Sequence, residues 1–281
     1  MIRLFGQAPY PDVRTLVWKI GGKGLSQESY IYVNTTNTCE TSIVLNSKLT
    51  SALSKVRSIV FETAATNRAN EKAYLVSALA IGDSYTAKQM LSPFVYQNLK
   101  EKAAEIGLGE GFLNQYNIFF VKTKLEASCI TCDLSRVVRL EDVLRDTARK
   151  LGVPVTELLT IDEFFDLYSH YSKAFWDKSI TWLLDHPENV SDALNKKASA
   201  YRNEDLAGLK KVISRDGYYG LRYTFPEQDS TRSALLTTRI ENKIAATPTL
   251  IIIDASEIAN DRTSVFAALT TAGYTLTPVL E

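Results

Sequence analysis

Carboxylates that directly follow short apolar stretches are the first candidates for chemistry in this sequence. Glu62 closes the stretch 58–61, and Asp254 and Glu257 follow the apolar run 250–253. Oxygen ligands suit Mg²⁺ and Ca²⁺ better than Zn²⁺, so the three acids could hold a divalent metal ion that activates water. A structural role is favoured, because dispersed acids without a motif are common in α/β proteins, and here Asp254 and Glu257 would cap a helix.

The cysteines and histidines offer a second kind of chemistry. Cys129 and Cys132 form a C-x-x-C pair, which would be redox-active in a thioredoxin-like setting. A zinc site needs four ligands, and the chain adds only Cys39 and two histidines, His170 and His186. A local disulfide or two free thiols is therefore the favoured interpretation. No nucleophile motif accompanies His170, so a catalytic base there is not favoured.

Composition and charge exclude several classes of protein. The 281 residues are 45% hydrophobic and 23% charged, which is typical of a globular protein and not of a disordered one. With 32 basic and 32 acidic residues the formal net charge is zero, so nucleic acid is not an expected partner. Apolar runs such as 118–121 are far shorter than the roughly 20 residues of a transmembrane segment. No signal peptide is visible near Met1, and the localisation stays open.

The order of the predicted elements indicates how the candidates are positioned. Residues 16–20 and 29–33 predict a β-hairpin around a glycine-rich turn, and a helical stretch leads to a strand at 58–62. Near the C-terminus, a fully apolar strand at 249–253 precedes a helix and a last strand at 274–280. Strand–helix–strand order at both ends predicts a parallel sheet. The expected fold class is α/β, with a mixed, largely parallel sheet built from both chain ends and a large central helical insertion.

The central region is predicted to be mainly helical. Amphipathic stretches include 139–151, which ends at Gly152 and Pro154, and the aromatic-rich stretch 162–182. No Pro-, Gly- or Ser-rich linker separates this region from the sheet, so we expect one composite domain over 1–281. Its sheet core is expected at about 14–64 and 247–281, and its helical cap at about 68–245.

Polar residues beyond the predicted strands form one candidate site, because ligands of open α/β sheets bind outside the carboxyl ends of the strands. The members of this site are Asn34, Thr35, Thr36, Glu62, Asp254 and Glu257. Asn34, Thr36, Asp254 and Glu257 are candidate binding residues. In the metal interpretation, Thr36 or Asn34 completes the oxygen ligands of the three acids.

Six stretches of the chain, taken in order, share the sequence pattern of a known family. They include the opening Leu16-Val-Trp-Lys-Ile-Gly-Gly-Lys-Gly, the segment 51–62 with its closing acid, and the ending Ala272-Gly-Tyr-Thr-Leu-Thr-Pro-Val. Over about residues 14–280 the chain resembles TraB/GumN-type proteins, which relate to the Tiki proteases. The resemblance implies a fold like that of Tiki, ChaN and erythromycin-esterase proteins, and a metal-dependent hydrolase or peptidase activity. It also implies that bacterial relatives are often exported.

The metal-binding signature of that family is missing here. The family has a "GxxH" motif after the second strand and another after the last long strand, and two such histidines can hold a metal ion. The corresponding positions of this sequence are Thr36 and Glu257. The resemblance leaves only Glu62 and Arg239 as residual catalytic positions. These two residues could instead form a structural ion pair.

The combined changes predict the loss of the family's activity. Val33 and Leu159 place apolar side chains where the family has glycine and a carboxylate, so a filled or reshaped site is expected. The predicted function is that of a non-catalytic family member, a pseudo-hydrolase without a cofactor. Its role would be structural, or the binding of an unknown protein or small molecule. Two alternatives stay open, a metal-dependent hydrolase built on the three acids and a thiol-active protein built on the cysteine pair.

Overall fold

The computed structural model describes residues 13–35, 45–79, 85–130, 133, 139–169, 171–215, 226–260 and 263–281. Four residues that the sequence analysis discusses lie outside the described residues. They are Thr36, Cys39, Cys132 and His170.

A six-stranded sheet forms the centre of the fold. Its strands are β1 (Val17–Gly22), β2 (Ser29–Asn34), β3 (Ser58–Thr63), β4 (Val155–Leu159), β5 (Thr249–Asp254) and β6 (Tyr274–Pro278). They lie in the order β4–β3–β5–β2–β1–β6. The four strands from β4 to β2 are parallel neighbours, whereas β1 runs antiparallel to both β2 and β6. The predicted α/β class with a mixed, largely parallel sheet is confirmed.

One strand departs from the expected plan of the sheet. Strand β4 comes from the region predicted as a helical cap, and it pairs with β3 at one edge. From sequence alone, residues 153–155 predict no more than the start of a short extended segment, because Pro154 and the flanking polar residues give no alternating pattern long enough to assign a strand. The sheet is therefore built from both chain ends and from one strand of the middle. The division of residues 1–281 into a sheet core and a cap stays a prediction.

Helices cover the sheet and fill the middle of the chain. They are α1 (Ser47–Lys55), α2 (Glu71–Ser77), α3 (Ala87–Met90), α4 (Pro93–Glu105), α5 (Glu110–Gln115), α6 (Ile118–Ser128), α7 (Leu140–Leu151), α8 (Ile161–Ser169), α9 (Lys173–Asp185), α10 (Pro187–Arg202), α11 (Leu206–Arg215), α12 (Pro226–Ala246) and α13 (Val265–Thr271). Short 3₁₀ turns lie at Ala64–Thr66, Arg68–Asn70 and Ala255–Glu257. In the described part of the chain, no helix is both long and apolar enough to cross a membrane.

Helices pack on both faces of the sheet. On one face, the hydroxyl of Tyr32 in β2 lies 2.8 Å from the hydroxyl of Tyr201 in α10. On the other face, Trp18 of β1 meets the ring of Phe266 in α13 edge-on, with 5.3 Å between the ring centres. Because both faces are covered, the apolar strand β5 is buried along almost its whole length.

The middle helices have an apolar core of their own. Leu99, Ile118, Trp176 and Leu194 belong to this second core, which joins helices α3 to α6 with α9 and α10. The apolar stretch 118–121 is too short for its periodicity to distinguish a strand from a helical turn, and in the structure it begins helix α6. Its helical state follows from this packing, because the chain buries these side chains among other helices and not in a sheet.

Candidate functional site

Three polar residues meet where neighbouring parallel strands end. Asn34, Glu62 and Asp254 lie at or near the carboxyl ends of β2, β3 and β5. Asn34 and Asp254 are direct partners in the strand register. The backbone N–H of Asp254 donates a hydrogen bond of 2.9 Å to the carboxylate of Glu62. The edge predicted from the sequence therefore brings the ends of these strands together, with Glu62 bonded to the backbone of Asp254 and the side chain of Asn34 on the opposite face of the sheet.

A buried arginine lies between two of the predicted acids. The guanidinium of Arg232, in α12, donates a hydrogen bond to Glu62 Oε1 and lies 3.1 Å from Glu257 Oε1 through the same nitrogen, Nη2. All three side chains are buried, with Arg232 3%, Glu62 7% and Glu257 1% exposed. A buried ion is stable only when it is paired and hydrogen-bonded, so each group depends on the others.

The pKa of Glu62 is raised to about 7. The main cause is burial, which removes water from the charged carboxylate, and the carboxylates of Glu257 and Asp254 act in the same direction. The guanidinium of Arg232 opposes them by stabilising the charged form. One arginine among several acids thus leaves a net negative charge that favours the uptake of a proton.

Asp254 organises the chain that follows β5. Its side chain accepts a hydrogen bond of 2.9 Å from the backbone N–H of Ser256 and so caps the short 3₁₀ turn Ala255–Glu257. The hydroxyl of Ser256 lies 3.2 Å from Glu257 Oε1. This turn carries Glu257 back toward Arg232, which explains how an acid three residues beyond the strand reaches the site.

A second polar network lies on the opposite face of the sheet. Asn34 donates a hydrogen bond of 2.8 Å to Glu141 in α7, and the hydroxyl of Tyr201 lies 3.5 Å from Asn34 Oδ1. Tyr32 extends the chain of contacts through Tyr201. Burial raises the pKa of Glu141 and of both tyrosines, that of Tyr32 to about 12. Hydrogen-bond contacts through Asn34 and Tyr201 link these buried groups into one network.

A buried lysine adds positive charge near this network. Lys197 in α10 is 5% exposed, and burial lowers its pKa. The charges of Asp254 and Glu126 act in the opposite direction and help to keep the ammonium group charged. The edge of the sheet thus holds buried cations as well as buried acids.

One aromatic side chain of the middle helices contacts Arg232. The ring of Tyr168, in α8, lies 4.5 Å from the guanidinium carbon of Arg232. Tyr168 is itself stacked on Phe119 of α6, with 4.2 Å between ring centres. Cation–π contact suits arginine because its guanidinium is planar and weakly hydrated. Most rings of the aromatic-rich stretch belong to the cores of the middle helices, but one of them reaches the site.

The expected ion pair between Glu62 and Arg239 does not form. Arg239 donates instead to the carbonyl of Leu158 and to Glu163, with 2.8 Å between its Nη1 and Glu163 Oε2. The partner of Glu62 is Arg232, seven residues earlier on the same helix. Seven residues are about two helical turns, so both arginines share one face of the helix. They differ in burial, since Arg232 is buried and Arg239 is partly exposed.

The three predicted acids do not form a metal centre in the described structure. Among the residues described, no group of three or more His, Cys, Asp or Glu side chains is placed to hold a metal ion. The guanidinium of Arg232 binds oxygens of Glu62 and Glu257 that a metal would need. The donor set therefore does not fit a divalent ion, and Thr36, the other proposed oxygen ligand, lies outside the described residues.

The cysteine and histidine candidates lie away from this edge or outside the described residues. Cys129 ends helix α6, where its thiol donates to the carbonyl of Leu125 at 3.3 Å and burial raises its pKa. A raised pKa disfavours the reactive thiolate. His186 is about half exposed between α9 and α10, 3.9 Å from Glu188.

Sequence patterns did not point to several residues around the site. They lie on helices far along the chain from the strands, and they are Arg232, Glu141, Lys197 and Tyr201. The only feature of the sequence that could have pointed to Arg232 as a site residue was its helical spacing from Arg239. Glu141, in the first turn of a helix, looked like an ordinary acidic residue that favours the helix N-terminus.

Comparison with known proteins identifies the family. The model of the TraB/PrgY/gumN family matches residues 16–278. The chain belongs to the TraB/PrgY/gumN family. No curated protein and no solved structure gives a significant match. The match confirms the family expected from the six ordered stretches.

Proposed function

We propose that this protein is a non-catalytic member of the TraB/PrgY/gumN family, a pseudo-hydrolase with a binding or structural role. The observation that supports the proposal most is the guanidinium of Arg232 between Glu62 and Glu257. A cation supplied by the chain itself binds the acids that a metal-dependent hydrolase would need for its metal. The site is stabilised as a set of ion pairs.

A metal ion and the guanidinium of Arg232 are not interchangeable, because their chemistry differs. A hydrolytic metal ion needs deprotonated ligands with accessible lone pairs and one open position for water. A guanidinium carries a permanent charge, donates through up to five N–H groups and offers no position for water. With Arg232 in place, a metal ion would have to displace it at the cost of leaving a buried charge without a partner.

Two apolar positions support the same proposal. Val33 and Leu159, aligned with a family glycine and a family carboxylate, are both fully buried in the main core. A buried valine next to Asn34 removes the close approach that glycine permits. A leucine in place of an acid removes one oxygen ligand and adds an apolar wall.

The proposal is tested by assaying the purified protein for peptidase and esterase activity with Mn²⁺, Zn²⁺, Ca²⁺ and Mg²⁺. We expect background rates for the wild type, and the same rates for Glu62→Gln and Glu257→Gln, because there is no activity to lose. A wild-type rate that falls about tenfold in either variant would overturn the proposal, since it would show a carboxylate at work as a ligand or general base.

The main alternative is a metal-dependent hydrolase with a divergent site of Glu62, Asp254 and Glu257. In its favour, the pKa of Glu62 is close to that of a general base. Against it, Arg232 binds two of the three acids. The third hypothesis, thiol chemistry at Cys129 and Cys132, stays a prediction. Titration of free thiols under oxidising and reducing conditions would test it.

A further inference from the structure

Among the described residues, three groups that contact the guanidinium of Arg232 together have the composition of a receptor. Glu62 and Glu257 supply carboxylate oxygens, and Tyr168 supplies the face of a ring at 4.5 Å. We call these three residues the guanidinium site. Planar cations of this kind are recognised by carboxylates in the plane of the group and by aromatic rings against its face.

We propose that the guanidinium site is a binding site for guanidinium groups, and that Arg232 occupies it as a ligand built into the chain. A variant that lacks only this side chain then binds guanidinium from solution. This proposal rests on the proposed function, because both require that the site holds the guanidinium of Arg232 and not a metal ion.

The geometry favours a guanidinium over other cations. The site combines two acids with an aromatic face, whereas a divalent metal ion prefers oxygen ligands on all sides. The site is also buried, so water does not screen the attraction between the acids and a bound cation, and this attraction offsets the cost of removing the cation from water. An ammonium ion lacks the planar shape that fits both the carboxylates and the ring.

The test is chemical rescue of Arg232→Ala. The midpoint of thermal unfolding is measured for the variant with guanidinium chloride below about 0.1 M, where its denaturing effect is small because unfolding free energy falls linearly with denaturant. We expect the variant to melt below the wild type and to regain at least half of the loss in a saturable way, with millimolar affinity. Isothermal calorimetry should detect the same binding event directly.

The controls separate binding from general solvent effects. Urea, a neutral molecule of similar shape, should give no rescue, and sodium chloride at equal ionic strength should give none. Arg239→Ala is the matched variant, because Arg239 lies on the same helix but pairs at a partly exposed position. Guanidinium should not raise its melting temperature. Wild type should not respond either, since its site is occupied.

A second variant, with one acid fewer, keeps the test possible if the first variant does not fold. If Arg232→Ala does not fold, Arg232→Ala/Glu257→Gln is tested, which has one of the two carboxylates left. Guanidinium should rescue it more weakly but still in a saturable way, through Glu62 and Tyr168. Rescue of either variant by guanidinium but not by urea supports the proposal. No saturable rescue of a folded variant, equal rescue by urea, or stabilisation by Mg²⁺ or Zn²⁺ alone would overturn it. Metal binding or hydrolysis by the wild type would instead contradict the proposed function.

Discussion

Around Arg232, one buried guanidinium faces two buried carboxylates, and Asp254 adds a third acid nearby. Such groups stabilise the fold only as a set. Removal of one partner leaves an ion without compensation in a site that water does not reach, which is costly even where the complete set contributes little net stability. The same argument does not hold for exposed pairs, whose charges water screens.

Replacement of Arg232 tests the difference between these two kinds of pair. We expect Arg232→Met to lower the free energy of unfolding by about 3–5 kcal/mol, because two buried acids lose their cation. Arg239→Met, which breaks a partly exposed pair with Glu163, should cost about 1 kcal/mol or less. Urea denaturation measures both values. Equal costs for the two variants would contradict the assignment of Arg232 to the buried site.

The raised pKa of Glu62 makes stability depend on pH. The pKa rises from its usual value of 4.5 to about 7 on folding, so the folded state binds the proton more tightly than the unfolded chain. The stabilising contribution is complete below about pH 4.5 and is lost as the pH rises through about 7. Glu62→Gln cannot titrate. As the pH rises across this range, its free energy of unfolding relative to that of the wild type should therefore increase, by an amount on the order of 2 kcal/mol.

Urea denaturation of the wild type and Glu62→Gln at several pH values measures this gain. Glu163→Gln is the control, because Arg239 lowers the pKa of Glu163 to about 2 and places its titration below this range. Its stability relative to the wild type should stay constant between about pH 4.5 and pH 7. A difference between wild type and Glu62→Gln that does not change with pH would disprove the pKa shift.

Individual helices and turns follow closely from local sequence. The stretch 139–151 has an apolar stripe and a terminal glycine, and the structure has helix α7 there, capped by Gly152 in the left-handed region at φ 65°. Local rules suffice in this case because the cap and the stripe are both encoded within a few residues. They do not suffice for Arg232 and Arg239, whose spacing puts them on one helix face, so that tertiary burial alone decides which of them meets Glu62.

Substitution of the capping glycine tests the local rule. Gly152→Ala should lower the free energy of unfolding by about 1 kcal/mol, because a Cβ atom is strained in the left-handed region although nothing else lies near it. Gly111 lies inside helix α5 with an ordinary φ and open space around it. Gly111→Ala should therefore stabilise the protein by roughly 0.5–1 kcal/mol. Thermal unfolding compares the two variants, and changes of the same sign would contradict this account.

On the scale of the whole molecule, the strands at the two chain ends were predictable, whereas strand β4 and the connection of the sheet to the middle helices were not. Alternating strands and helices at the two ends carry a clear pattern, and the end of each parallel strand could be grouped at one edge. The contact of Tyr168 with Arg232 joins residues that are far apart in the sequence. No local pattern distinguishes Tyr168 from the other aromatic residues of its helix, most of which are core.

Tyr168 connects the middle helices to the edge of the sheet. Its replacement should therefore affect both the stability of the fold and the helix that carries Arg232. We expect Tyr168→Leu to lower the free energy of unfolding by roughly 1–2 kcal/mol, through lost stacking and cation–π contact. Hydrogen exchange should become faster in helix α12 around Arg232. Tyr74→Leu is the control, since Tyr74 packs on Phe120 and Phe165 of the middle helices. It should destabilise the protein without this local change, and equal effects in α12 would contradict the link.

The most direct test of the central claim is the metal content of the wild-type protein. The protein is purified without chelator, incubated with Mn²⁺, Zn²⁺, Ca²⁺ and Mg²⁺ in turn, desalted and analysed by elemental mass spectrometry. Because Arg232 already binds Glu62 and Glu257, we predict no stoichiometric metal under any of these conditions. Near-stoichiometric metal that Glu62→Gln or Glu257→Gln removes would contradict the claim and favour a metal-dependent hydrolase.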